Sequence, residues 1–124
     1  MNNRSGKIGE DYTAALLESK GFTVLQRNYH SRWGEIDIIA RDDQYILFVE
    51  VKTRAENAMG HPLEAVTQVK QQKIIKTALQ YLSEHPETAE LQPRFDVAGL
   101  ITRRTTMQIK EVHYIPNAFE GELV

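Results

Sequence analysis

The chain has 124 residues, 41% hydrophobic and 26% charged, with a net charge of −2, a balance that suits one folded domain with one core and excludes a disordered chain. It has no cysteine, which excludes disulfides and thiolate metal sites and leads us to expect a cytoplasmic protein. No apolar run approaches the roughly 20 residues that span a bilayer, and residues 1–7 lack the apolar segment of a signal peptide. Net acidity does not advertise nucleic-acid binding, although a local basic face matters more than the sum.

The first predicted element is a helix from about Ser5 to Lys20, with Ser5 as N-cap and Gly21 just past the end. Ile8, Tyr12, Ala15 and Leu16 form its apolar stripe. Gly6 and Gly9 each weaken a helix by roughly 1 kcal/mol relative to Ala. They mark either fraying near the terminus or a close approach of another backbone or a phosphate. Glu10 lies away from Ile8 and Tyr12, and matters only if its side faces the strands that follow.

Phe22 to Tyr29 reads as a first strand, and residues 30–34 as a loop carrying Trp33, either a packing residue or a base-stacking group. Glu35 to Arg41 is the second strand, Asp42-Asp43 is turn chemistry, and Tyr45 to Thr53 is a third strand apolar enough for a central position. Residues 54–61 break the pattern as a loop. A second helix runs from about Thr67 to Glu84, with Ile74, Ile75, Ala78, Leu79 and Leu82 on one side. Lys70, Lys73 and Lys76 lie on the other. That basic side is either a solvated face or a contact surface for backbone phosphates, and Gln68 and Lys70 stand where they could reach a site or a phosphate. Pro93 is expected in a loop. Two further strands are expected at 94–101 and 106–115, with no clear element from Pro116 onward. The order α-β-β-β-α-β-β predicts a single mixed sheet with helices packed on it.

The chemistry gathers on the second and third strands. Side chains alternate along a strand, so Glu35, Asp37 and Ile39 share one face, and Ile46, Phe48, Glu50 and Lys52 share another. If Asp42 and Asp43 form a two-residue turn, Asp37 lies diagonal to Glu50. If the loop is Asp42 to Tyr45, Asp37 lies directly opposite it. Either register brings the carboxylates to one face, about 5–8 Å apart at Cβ. A one-residue slip would separate them and expose an apolar face. Two buried carboxylates this close repel unless a proton or cation lies between them. Hard oxygen ligands of this kind suit Mg²⁺ or Mn²⁺, and the Val51 carbonyl is placed to join them. Lys52 faces the same way and can stabilise developing charge or orient an attacking water. A salt bridge from Lys52 to Glu35 or Glu50 is the plainer explanation of the same residues. The four histidines show no metal-ligand spacing, and Asp96, inside a strand, is expected to hydrogen-bond to backbone.

Asp37 followed by Glu50-Val51-Lys52 resembles the PD-(D/E)XK nuclease motif. Together with Gly9-Glu10, Gly34-Glu-Ile-Asp-Ile-Ile-Ala, Phe48-Val-Glu-Val-Lys-Thr-Arg and Arg94-Phe-Asp-Val, it looks like the bacterial YraN-like family of candidate endonucleases, related to archaeal Holliday junction resolvases. The likeness spans roughly residues 5–115. It implies a restriction endonuclease-like three-layer α/β fold, Asp37 and Glu50 as metal ligands, Lys52 as the catalytic lysine, and Glu10 as a further acidic contributor. One departure is Ile36, where the motif carries proline. The expected function is Mg²⁺- or Mn²⁺-dependent hydrolysis of DNA by a resolvase-like endonuclease, with Gln68, Lys70 and Lys73 on the nucleic acid and a homodimer suited to cutting two strands. The alternatives are a nucleic-acid-binding protein that keeps the fold without turnover, and a structural protein with a buried ion cluster.

Overall fold

The computed structural model describes residues 4–120. Helix α1 (Arg4–Ser19) begins one residue before the expected cap, so Ser5 lies within its first turn. It closes in a Schellman motif: Gly21 N–H donates to the Glu18 carbonyl at 3.1 Å and Phe22 N–H to the Leu17 carbonyl at 3.0 Å. Gly21 supplies the left-handed backbone this closure needs, with φ +92°. Phe22 and Leu17 then meet in one apolar cluster.

The buried side of α1 is Gly9, Thr13, Ala14 and Leu17, offset from the expected stripe, and Tyr12 stays 42% exposed. The reason is closeness. At Gly9 an added Cβ would collide with Thr53 Oγ1 and would sit 3.5 Å from Leu100 Cδ1. The helix therefore turns its smallest residues to the sheet. Close approach, not fraying, explains Gly9, whereas nothing lies within 4 Å of a Cβ at Gly6.

The sheet has the order β1 (Thr23–His30), β2 (Glu35–Arg41), β3 (Tyr45–Ala55), β4 (Gln92–Thr102), β5 (Ile109–Phe119). The first three strands form an antiparallel meander, β3 and β4 are parallel, and β4 and β5 are antiparallel. A parallel pair needs a long crossover, and helix α2 (Gln68–Glu84) provides it. Thr67 caps α2, its side chain accepting the Lys70 N–H. As expected from its composition, β3 is central, with Ile46 to Val49 fully buried.

One sheet face, with Ile39, Ile46, Phe48, Phe95 and Val97, packs on Ile74, Ile75, Ala78 and Tyr81 of α2. The other, with Ile38, Ala40, Leu47 and Val49, packs on Ala14 and Leu17 of α1. Helix, mixed sheet and helix make the restriction endonuclease-like three-layer arrangement. Leu79, expected on the apolar side of α2, is 41% exposed, and Tyr81 is buried instead.

The C-terminal strands depart furthest from expectation. Pro93 lies within β4, opposite Ile46, and β5 runs through Pro116 to Phe119, which stacks on Phe95 at 5.2 Å. The β4–β5 register shifts between Phe95 and Val97. Buried Asp96 stabilises that shift. It accepts both Arg94 nitrogens at 2.9 Å, the Tyr114 hydroxyl at 2.6 Å and the Asn117 N–H at 2.9 Å. Asp96 thus has the structural role expected of it. Among the described residues no helix is long and apolar enough to cross a membrane.

Candidate metal site at the end of the central strands

The β2–β3 ladder pairs Ile38 with Val49, Ile39 with Phe48, Ala40 with Leu47 and Arg41 with Ile46. Continued one step, it sets Asp37 opposite Glu50. Of the two registers open to the sequence, the one with the longer loop is present. Asp42 fixes it: its Oδ1 accepts the N–H of Gln44 at 2.8 Å and of Tyr45 at 2.7 Å, and its own N–H donates to the Tyr45 carbonyl at 3.1 Å. The ladder stops where the chemistry begins. There the Val51 N–H donates to Asp37 Oδ2 at 2.7 Å.

Glu50 is 4% exposed. Its Oε1 has Lys70 Nζ at 3.2 Å and Lys52 Nζ at 3.6 Å. Its Oε2 is buried and has no hydrogen-bond partner. An orphaned carboxylate oxygen is costly, of the order of 1–3 kcal/mol or more for a charged group, so it marks a place where a cation would fit. Burial, then the neighbouring Glu50 charge, pushes the Asp37 carboxyl up to about 8 against the opposing Val51 hydrogen bond. Burial, then the adjacent Lys70 ammonium, pulls the Lys52 ammonium down. Burial also acts against the charge on Lys70, but Lys52 and Glu50 outweigh it and hold that ammonium up.

These groups line a cleft of about 520 Å³ with Trp33, Gly34, Glu35, Thr67, Val69, Lys73 and Ile74. Among the described residues no three His, Asp or Glu side chains converge on one point. A metal here would rest on Asp37, Glu50 and the Val51 carbonyl, leaving positions for water and substrate oxygens, the ligation Mg²⁺ favours. The donor set and the orphaned Oε2 fit such an ion.

The remaining expected residues divide. Lys70 and Lys73 line the cleft, whereas Gln68 is exposed and does not. Glu10 is held by β1: its Oε1 accepts from Arg27 Nε and Asn28 Nδ2, both at 3.0 Å. Its charge adds to the upward push on Asp37, but it does not line the cleft. Lys76 is exposed and also lies outside it. Sequence reasoning placed Lys70 where it could reach the site or a phosphate; the structure brings it to the site, on Glu50. The available signal was Thr67, a cap residue that fixes where α2 begins and so which side chain of its first turn points at the strand end. Trp33, read as either a packing residue or a base-stacking group, also lines the cleft, as does Val69, which was not singled out.

Fold and site together define a restriction endonuclease-like α/β domain with paired strand carboxylates and a neighbouring lysine. Within that class the chain belongs to the family described as Uncharacterised protein family UPF0102, the YraN family, whose sequence model matches residues 9–100. It is 47% identical over 117 residues to a UPF0102 protein of Chlorobium phaeobacteroides, covering 92% of each chain. It is 46% identical over 121 residues to one from Prosthecochloris aestuarii, covering 94% of each. A third, from Dictyoglomus turgidum, is 43% identical over 120 residues, with 96% of this chain and all of the relative covered.

Proposed function

We propose that this protein is a metal-dependent endonuclease that hydrolyses DNA phosphodiester bonds. The observation that carries the reading is Glu50 Oε2, a buried carboxylate oxygen without a partner, one strand away from an Asp37 carboxyl that burial and repulsion hold protonated near neutrality. Asp37, Glu50 and the Val51 carbonyl would hold Mg²⁺ or Mn²⁺. When bound, such an ion polarises a phosphoryl oxygen and lowers the pKa of an attacking water.

The chain's own groups do the rest. Lys52, whose ammonium is pulled down by burial and by Lys70, orients the water and steadies charge building on the phosphate oxygens. Lys70, whose ammonium stays charged, balances Glu50 and faces the phosphate. Lys73, exposed at the cleft wall, adds a backbone-phosphate contact. The water oxygen bonds to phosphorus, the bond from phosphorus to the leaving sugar oxygen breaks, and the proton lost from water ends on the leaving oxygen. A cytoplasmic location and a dimer acting on two strands suit this reading.

The test is cleavage of labelled branched, single-stranded and duplex DNA in Mg²⁺. Wild type cuts at least one of the three, and Lys52→Ala loses about 10²-fold or more of the rate. Full activity in Lys52→Ala would sink the assigned mechanism. One observation favours a second reading: Lys52 and Lys70 both approach Glu50 Oε1 and form an ion cluster that needs no metal. On that reading the protein binds nucleic acid without cutting it, and no member of the panel is cleaved in Mg²⁺ or Mn²⁺.

A further inference from the structure

Trp33 is the only tryptophan of the chain. A side chain of that size ordinarily contributes most when buried, yet Trp33 belongs to neither apolar cluster. It is half-buried and lines the cleft that holds Asp37 and Glu50. Its position is built, not incidental. The Ser31 N–H donates to the Gly34 carbonyl at 2.8 Å, and the Trp33 N–H to Ser31 Oγ at 3.1 Å. Ser31 Oγ in turn shares a 2.7 Å hydrogen bond with Thr77 Oγ1, on a fully buried side chain of α2. The β1–β2 turn is thereby pinned to the helix that carries Lys70 and Lys73. The Arg32 guanidinium lies 4.6 Å from the indole centroid, so ring and cation act as one unit. Val69, 67% exposed, adds apolar surface to the same cleft.

We infer that Trp33 is a stacking platform for an unpaired nucleobase, so that the substrate is a DNA strand with an extruded or single-stranded base beside the phosphate at Asp37 and Glu50. The inference rests on the phosphodiesterase reading above and adds the substrate class to it. An aromatic face flanked by lysines is the combination that single strands require: the ring takes the base and the ammonium groups take the backbone. A fully paired duplex keeps its base faces inside the stack and offers Trp33 nothing to cover. Lysines alone would bind any polyanion of the right spacing, with or without bases.

Because Trp33 is the sole tryptophan, its own emission reports the contact. The experiment titrates the protein in EDTA, where cutting cannot intrude, with a single-stranded thymidylate oligomer of about ten nucleotides. The comparison is an abasic sugar-phosphate oligomer of equal length and charge. The thymidylate oligomer is expected to quench Trp33 emission and to bind roughly 5- to 150-fold more tightly than the abasic one, the range of base–aromatic stacking. Trp33→Ala abolishes that difference, measured with labelled oligomers, whereas Trp33→Phe keeps most of it. Both variants retain the wild-type melting temperature, because the ring lies outside both cores. Equal affinity for the two oligomers with unchanged emission overturns the platform, and so does a base preference that survives in Trp33→Ala. In either case, continued cleavage by wild type in Mg²⁺ leaves the nuclease reading standing. Failure of both oligomers to bind, with no cleavage, removes both.

Discussion

Asp37 holds a proton more tightly in the folded protein than in the unfolded chain, because burial and Glu50 raise its carboxyl from 3.8 to about 8. Its contribution to stability is therefore full below 3.8 and is lost as pH rises through about 8. We expect the melting temperature of the metal-free protein to fall across that window and Asp37→Asn to flatten the fall. The same proton must leave before Asp37 can serve as a ligand. Mn²⁺ affinity should rise about tenfold per pH unit below about 8 and level off above it, with about one proton released per ion. Affinity independent of pH over that range would remove Asp37 from the ligand set. At this scale the sequence was informative. Asp37, Glu50 and Lys52 stood out because strands otherwise apolar have no ordinary use for them. Lys70 stood out only as a residue able to reach a site or a phosphate, because its contact with Glu50 depends on how α2 docks.

Helix α1 offers a paired test of why it packs as it does. Gly9→Ala adds a methyl group where Thr53 Oγ1 already stands and should destabilise by about 1–3 kcal/mol, the usual cost of overpacking. Gly6→Ala meets nothing within 4 Å and should stabilise by up to about 1 kcal/mol through helix propensity alone. Urea midpoints of the two variants check both signs, and equal shifts would contradict the close approach of α1 to β3. Asp96 is the corresponding test on β4 and β5. Removing it in Asp96→Ala strands Arg94 and opens the Asn117 N–H, so we expect a loss of about 3–5 kcal/mol. Element positions were legible where one face is apolar and the other is not. They failed where a tertiary partner decides. The stripe of α1 was set by clearance above Thr53, and the end of β5 by Asp96 capturing a backbone N–H across a bulge. Pro116 reads as a strand breaker until that bulge is known.

For the whole molecule, alternation of apolar and polar segments was enough to give the order α-β-β-β-α-β-β and a central β3, because a strand buried on both faces cannot be written any other way. The same constraint couples folding to chemistry. The strand parity that buries Ile46 and Phe48 beneath α2 also puts Asp37 and Glu50 on one face, and the loop held by Asp42 sets them opposite each other. A slip that separated the carboxylates would also expose the core. What the sequence could not show is the third dimension of the cleft: α2 brings Lys70 onto Glu50, and Ser31 and Thr77 fix Trp33 at its wall. The slight net negative charge is thus compatible with a phosphate-binding cleft, since Lys52, Lys70 and Lys73 meet there.

Whether Asp37 and Glu50 together hold a divalent cation can be measured directly. Titration calorimetry with Mn²⁺, on wild type and on Asp37→Asn and Glu50→Gln, measures it without reference to any substrate. We expect one site per chain in the wild type, weakened at least about tenfold in each variant. Absence of binding in the wild type, or binding that both variants retain, would contradict it and leave the carboxylates as partners of Lys52 and Lys70 alone.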